Sequence, residues 1–339
     1  MQSIKKFLIA LVLMVAMLVL MTGCMPEDAY APMDPQKTDN VIVDIPQGSS
    51  VTSMGNILFE SGLIRQADYF KARVKVLGVD SKLKAGRYAF QLSQSMDDII
   101  NHIVSGDVYR DLIKVTIPEG YEIKQIVETL EAAGLVKSES FYALMASAPL
   151  EYAFLEGIPE GERRLEGFLF PATYTFEKGV SEEKVLKALL DKFDTVFKPE
   201  YYDTVKSLDL TVYQLITMAS IVEREGQVRS ELPLIAGVFY NRIQKDIKLE
   251  SCATIQYALG DRKAKLYNKD LEIESPYNTY KYFGLPLGPI ASPGEAALQA
   301  ALFPEASDKL FFVLSNKGDG SHIFSKTYAE HLQAKKANE

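Results

Sequence analysis

The stretch from Thr211 to Gly226, TVYQLITMASIVEREG, joins a defined helix start to a carboxylate set among apolar residues. Thr211 and Gln214 have capping-box spacing, so each side chain can satisfy a free amide of the first turn. At helical periodicity Val212, Leu215, Ile216, Ala219 and Val222 share one arc, the expected buried face. Glu223 falls inside that arc, whereas Thr217 and Arg224 point the other way. Desolvation there raises a carboxyl pKa and keeps the group protonated, as a general acid requires. The structural alternative is a glutamate that pairs with a buried arginine or caps a neighbouring helix, since such networks also perturb carboxylates. Arg224 and Glu225, on the more polar side, read as solvated or packing charges.

Other candidate groups lie in turn-rich segments: Glu166 in LEGFLFP, Thr254, Gln256 and Tyr257 in ATIQY, Asn278 and Tyr280 in YNTY, and His322 in GSHIF. Long Pro/Gly loops in a compact domain are more often functional than idle. Each of these side chains also has an ordinary structural role open to it: a salt bridge for Glu166, a turn contact for His322, loop hydrogen bonds for the rest. Three histidines and two cysteines do not supply a zinc set of the usual spacing, so no metal, cofactor or disulfide is expected.

The elements that must hold these groups follow from composition and punctuation. With 339 residues, 47% apolar and 24% charged, the chain is globular and long enough for two ordinary domains. A net charge of −8 without a basic run argues against a nucleic-acid partner. Lys5 and Lys6 precede an unbroken apolar run from Phe7 to Met21, then Thr22-Gly23-Cys24. That run is shorter than the about 20 residues that span a bilayer comfortably, and suits a signal-peptide core. Small residues before a cysteine resemble the lipobox of bacterial lipoproteins, which implies cleavage before Cys24 and a lipid on its sulfur. The alternative is an uncleaved membrane anchor. Both place the rest of the chain on the extracytoplasmic face of a cell membrane.

Residues 25–40, rich in proline and without periodicity, read as a flexible tether. A repeat follows. Ile45-Pro46-x-Gly48, Leu58, Gly62-Leu63-Ile64 and Tyr69 align with Ile117-Pro118-x-Gly120, Leu130, Gly134-Leu135-Val136 and Phe141 at a constant offset of 72 residues, as from Ile45 to Ile117. Each copy reads strand, turn, amphipathic helix, glycine stop and second helix, with a further strand expected over Ala85–Phe90 and a helix over Ser95–Val104. The first copy resembles LysM-like modules, which bind the N-acetyl sugars of peptidoglycan; a spacer that never touches sugar is the alternative. The expected organisation is therefore α+β: a signal or anchor (1–24), the tether (25–40), a LysM-like α/β module (41–110), a second small α/β unit and hinge (111–160), a mainly helical catalytic domain with some β structure (161–332) and a tail (333–339). A helix over Ser181–Phe197 is expected to pack on the one carrying Glu223.

Seven motifs in order, LEGFLFP from Leu165, ASIVERE from Ala219, ATIQY from Ala253, YNTY from Tyr277, GLPLGPI from Gly284, SPG from Ser292 and GSHIF from Gly320, resemble the endolytic murein transglycosylases of the YceG/MltG type over roughly residues 41–332. The resemblance implies a catalytic domain related to lytic transglycosylases. It also implies cleavage of the MurNAc–GlcNAc β-1,4 bond within glycan strands to leave 1,6-anhydro-MurNAc, with the family's catalytic glutamate carried over to Glu223 as acid and then base. Peptidoglycan strands are the implied partner, beside glycan-polymerising synthases at the membrane. Without tryptophan, sugar stacking falls to Tyr and Phe. One departure matters: many members have Asp-Pro before the Thr of the third motif, where this chain has Cys252-Ala253, so a carboxylate there is not required unless Glu250 substitutes. The competing functional class is a non-catalytic, peptidoglycan-binding scaffold.

Overall fold

The structure is a computed structural model that describes residues 28–338; the apolar run and Cys24 lie outside them. The chain divides into two compact units between Asp111 and Leu112. In the first, β1 (Asn40–Ile45) and β2 (Gly86–Gln91) form an antiparallel pair, with α1 (Val51–Glu60) and α2 (Ala67–Leu77) between them in sequence and α3 (Met96–Ser105) after. Alternation along the strands turns Val43, Ile45, Tyr88 and Phe90 inward onto Leu58, Phe70, Val74, Ile99 and Ile103. Ser50 caps α1 by accepting from the Ser53 amide, and Ser95 with Asp98 forms a capping box on α3.

The expected tether is ordered from residue 28 onward. Ala29 is buried, the Tyr30 carbonyl accepts from the Met96 amide at 3.0 Å, Arg73 lies 4.9 Å over the Tyr30 ring, and Arg65 donates to the Ala31 carbonyl. Proline content predicts an unstructured spacer only where nothing apolar can dock, and Ala29 and Tyr30 can.

The second unit opens with β3 (Leu112–Thr116), α4 (Ile123–Ala132) and α5 (Ser138–Ser147), continues through β4 (Thr173–Glu177), α6 (Glu182–Val196), α7 (Pro199–Ser207), α8 (Val212–Glu225), α9 (Leu232–Gln244), α10 (Cys252–Leu259) and α11 (Glu295–Leu302), and closes with β5 (Phe311–Leu314), β6 (His322–Ser325) and α12 (Tyr328–Asn338). β3 pairs antiparallel with β4, and β5 with β6. Helices with small antiparallel sheets make the chain α+β. Residues 112–160 do not form a unit of their own: β3 takes its partner from the aromatic stretch beyond residue 170, and one continuous core includes Ile126, Leu130, Phe141, Phe168, Phe193 and Ile216.

That pairing extends the repeat. The second copy is also strand–helix–helix–strand–helix, but an insertion shifts its later half to an offset of 86 residues, as from Tyr88 to Tyr174. Tyr88-x-Phe90 and Tyr174-x-Phe176 occupy matching places, with Val43 opposite Tyr88 and Val115 opposite Tyr174. The Tyr88 hydroxyl donates to the Lys84 carbonyl at 2.8 Å and the Tyr174 hydroxyl to the Phe170 carbonyl at 2.6 Å. Burial pushes both phenols up from their ordinary range. Tyr88→Phe and Tyr174→Phe are each expected to cost about 1 kcal/mol by urea unfolding, the net worth of one hydrogen bond whose acceptor loses its partner.

Helix α8 runs through the middle of the second unit, against α7, α9, α10 and α11. Every residue from Leu215 to Val222 is buried, Thr217 and Ser220 included. Thr217 therefore does not face solvent; its hydroxyl donates to the Tyr213 carbonyl at 2.7 Å, which removes the cost of burying it. Helix α6 packs on α5, and its Phe193 joins the ring cluster of Phe154, Phe168 and Phe197.

Candidate active site

The capping box expected at Thr211 is formed: Gln214 Oε1 accepts from the Thr211 amide at 2.9 Å and Thr211 Oγ1 from the Gln214 amide at 3.2 Å. It fixes where α8 starts and hence which way its last turn faces. One face binds the irregular segment before α11. Ser220 Oγ accepts from the Ile290 amide at 3.0 Å and donates to the Thr217 carbonyl, and Glu223 Oε2 accepts from the Gly294 amide at 3.0 Å. Gly294 is the N-cap of α11, so Glu223 sits at a helix N-terminus, where free amides and the helix dipole favour a carboxylate. Burial pushes the Glu223 carboxyl up and the Glu119 charge adds to this, while the Gly294 amide and Arg229 pull it back. This is the capping role named above as the structural alternative.

Two residues on, Glu225 points away from that segment into a polar cavity of about 570 Å³. Glu225 Oε1 accepts from the Ser251 hydroxyl and, at 3.4 Å, from the Ala253 amide. Burial pushes its carboxyl up; these two donors and His322 pull it part of the way back. Around it the cavity is lined by Glu250, Cys252, Tyr280 and His322, with Arg242 below and Tyr328, His331 and Lys335 of α12 at the edge. Glu223 does not line this cavity.

The wall carrying Ser251 is held from behind. Thr279 Oγ1 accepts from the Ser251 amide at 3.1 Å and is 2.9 Å from Thr254 Oγ1, and the Thr279 carbonyl accepts from the Glu250 amide. Glu250 adopts a left-handed φ of 51°, a conformation that costs a non-glycine residue energy and persists only when its surroundings enforce it. Its carboxylate is engaged by Arg242 Nη2 at 2.5 Å. The cavity thus holds a second carboxylate, already paired, beside Cys252-Ala253. Cys252 Sγ lies 3.1 Å from the Tyr280 hydroxyl.

Of the sequence candidates, Tyr280 and His322 therefore join Glu225. Thr254 is buried behind the wall, and Asn278, also buried, is a loop organiser: its amide donates to the Leu271 and Ile273 carbonyls and its oxygen accepts from the Tyr280 amide. Gln256 staples the loop after α10 through both the amide and carbonyl of Lys263. Glu166 and Tyr257 meet elsewhere, in a second cavity of about 440 Å³ with Arg163 and Glu122. There Glu166 accepts from the Ile123 amide at 2.9 Å and the Tyr257 hydroxyl at 3.0 Å, and burial pushes it up to about 7. The residue that sequence reasoning passed over is Glu225. The signal available for it was the E-x-E spacing at the end of α8, which puts two carboxylates on nearly opposite sides of the last turn.

The YceG-like family profile matches residues 43–337. The chain belongs to the YceG-like family. Endolytic murein transglycosylase of Streptococcus pneumoniae serotype 2 strain D39 is 36% identical over 90% of this chain, and that of Bacillus subtilis strain 168 is 33% identical over 90%. The chain spans 59% of the streptococcal protein and 86% of the Bacillus one. The crystal structure of a YceG-like protein of Listeria monocytogenes, 35% identical, superposes with a TM-score of 0.59 over 87% of this chain and 99% of that one. The YceG-like match encloses the whole of α8 and every residue named in the two cavities.

Proposed function

We propose that the chain is a membrane-anchored, endolytic peptidoglycan lytic transglycosylase and that Glu225 is its acid. The observation that carries the reading is a desolvated carboxyl, held by Ser251 and Ala253, in the wall of a polar cavity that also offers Tyr280 and His322. The names of the two relatives at 33–36% identity support the substrate class. Protonated Glu225 gives its proton to the leaving O4 of GlcNAc as the C1–O4 bond breaks, and the bonding pair stays on that oxygen. The muramoyl 6-hydroxyl then attacks its own C1 and loses its proton, in the simplest scheme to the Glu225 carboxylate, leaving the 1,6-anhydro end. The attacking hydroxyl is tethered to the reacting carbon, so this route gains the effective-molarity advantage of an intramolecular nucleophile. Glu223 keeps the capping role, and Tyr280 is the ring offered to a sugar face.

The strand–helix–helix–strand order of the first unit supports a LysM-like, sugar-binding role for it. The Lys5–Cys24 pattern supports attachment to the extracytoplasmic face of the cell membrane, through lipid on Cys24 or an N-terminal helix, where glycan synthases are the partners this placement favours. The test is digestion of isolated peptidoglycan with mass analysis of the products. Anhydro-muramoyl ends are expected. Reducing muramic ends instead mean that water attacks, with Glu250 as the second carboxylate; strand binding without products means a scaffold.

A further inference from the structure

We infer that His322, held by Glu231, is the base of this cavity: it takes the proton from the attacking hydroxyl while Glu225 protonates the leaving oxygen. This rests on the reading of the cavity given above and replaces its simplest scheme, in which one carboxyl serves twice.

Glu231 closes the short 3-10 turn Arg229–Glu231 ahead of α9 and grips His322 at two points. Its oxygens accept from the His322 backbone amide at 3.0 and 3.1 Å, and Oε2 lies 2.8 Å from Nδ1. A carboxylate only accepts, so the hydrogen belongs on Nδ1 and the neutral ring carries its lone pair on Nε2. The ring has little freedom to turn, since the side chain is 6% exposed and lies edge-on to Phe312 at 5.4 Å, with Phe324 at 6.2 Å. It lines the same cavity as Glu225. Among the hydrogen bonds of the described residues, Nδ1 is the engaged nitrogen, which leaves Nε2 for the cavity.

Burial pushes the Glu225 carboxyl up, which suits it to the acid's task, and a separate base spares it a second proton transfer within one turnover. With His322 in place the proton count closes without a second demand on that group. The Glu225 proton goes to O4, and the 6-hydroxyl proton goes to Nε2 as the C1–O6 bond forms. The resulting imidazolium, balanced by Glu231, returns its proton through solvent to Glu225. Imidazole is the side chain suited to such a cycle near neutral pH. Glu231 acts through His322 and is a positioning residue.

The experiment uses the full chain on glycan strands, with products resolved by mass. Asparagine at 322 can keep a donor where Nδ1 stands, and so the tie to Glu231, but has nothing at Nε2. His322→Asn is expected to lower kcat about 100-fold or more with KM changed less than about threefold, and to unfold within a few degrees of wild type. Added imidazole is expected to restore part of the turnover lost in His322→Ala, and Glu231→Gln to lower kcat without raising KM. Turnover of His322→Asn at the wild-type rate overturns the inference, as does a His322→Ala protein that imidazole leaves unrescued. Failure of the underlying reading looks different: wild type then releases no muropeptides, or Glu225→Gln cleaves normally.

Discussion

Glu225→Gln is expected to reduce strand cleavage by about 100- to 10,000-fold in kcat, the range over which a positioned general acid contributes, with its unfolding temperature at or above that of wild type. Glutamine keeps the shape and still accepts from Ser251 and Ala253, so the fold loses little. The variant also removes a desolvated ionisable group, which costs stability once it is charged. The paired control is Glu223→Gln. Its remaining oxygen can accept from the Gly294 amide, and cleavage is expected to stay within about threefold of wild type, roughly 0.6 kcal/mol in barrier. Glu223→Ala is expected to lose about 1 kcal/mol of stability, as the removal of a helix cap does. The two glutamates stand two residues apart, both half-buried and both with carboxyls pushed up, so their titration does not separate them. Position does, and the assay reads position. The opposite outcome, with Glu223→Gln inactive and Glu225→Gln active, returns the acid to the face of α8 that meets Gly294.

Glu166→Gln is expected to change the shape of the stability–pH curve. The folded carboxyl titrates at about 7 against an ordinary 4.5. Below 4.5 both folded and unfolded chains hold the proton and the contribution to stability is complete. Between 4.5 and 7 the unfolded chain releases a proton that the folded chain keeps, so stability falls as pH rises, by up to about 1.4 kcal/mol per pH unit, and levels off above 7. The cause is burial, which outweighs the Ile123 amide and the Tyr257 hydroxyl. Urea unfolding at pH 5 and pH 8 is expected to show wild type losing roughly 2–3 kcal/mol relative to Glu166→Gln over that interval. Parallel curves for the two proteins overturn this account of the second cavity.

Much of the architecture was legible because local chemistry dictates it. The capping pair Thr211–Gln214 set the start of α8, and Pro-x-Gly turns ahead of two matching helices identified the repeat. Gly48 and Gly120 both adopt the left-handed conformation that their turns require, with φ of 80° and 74°. Thr217 was placed on the outer side because a helical wheel assigns a single buried side, whereas α8 is enclosed on all sides from Leu215 to Val222. On such a helix an apolar arc says little about where a carboxylate points. Glu223 was found and Glu225 passed over because the first lay among aliphatic residues and the second beside an arginine. The strand β4 was hidden for another reason. The insertion before it breaks the offset of 72 residues, and only pairing through β3 shows that Tyr174 corresponds to Tyr88. The loops marked by the family motifs mix two tasks: Thr254 and Asn278 support walls, whereas Tyr280 and His322 line the cavity.

The segment between Gly284 and Gly294 has no regular structure, yet Ile290 and Gly294 give their amides to Ser220 and Glu223 of α8, and the Ser292 amide goes to the Tyr121 carbonyl. Mechanically it belongs to the helix. An irregular backbone tied at every second residue to a packed partner opens only when its support opens, so its slow motions are those of the core and not those of a loop. The seating of α8 is therefore rigid on the side away from the cavity. Any accommodation of a long polymer has to come from the opposite side, where Tyr280, the Cys252 wall and the edge of α12 meet solvent.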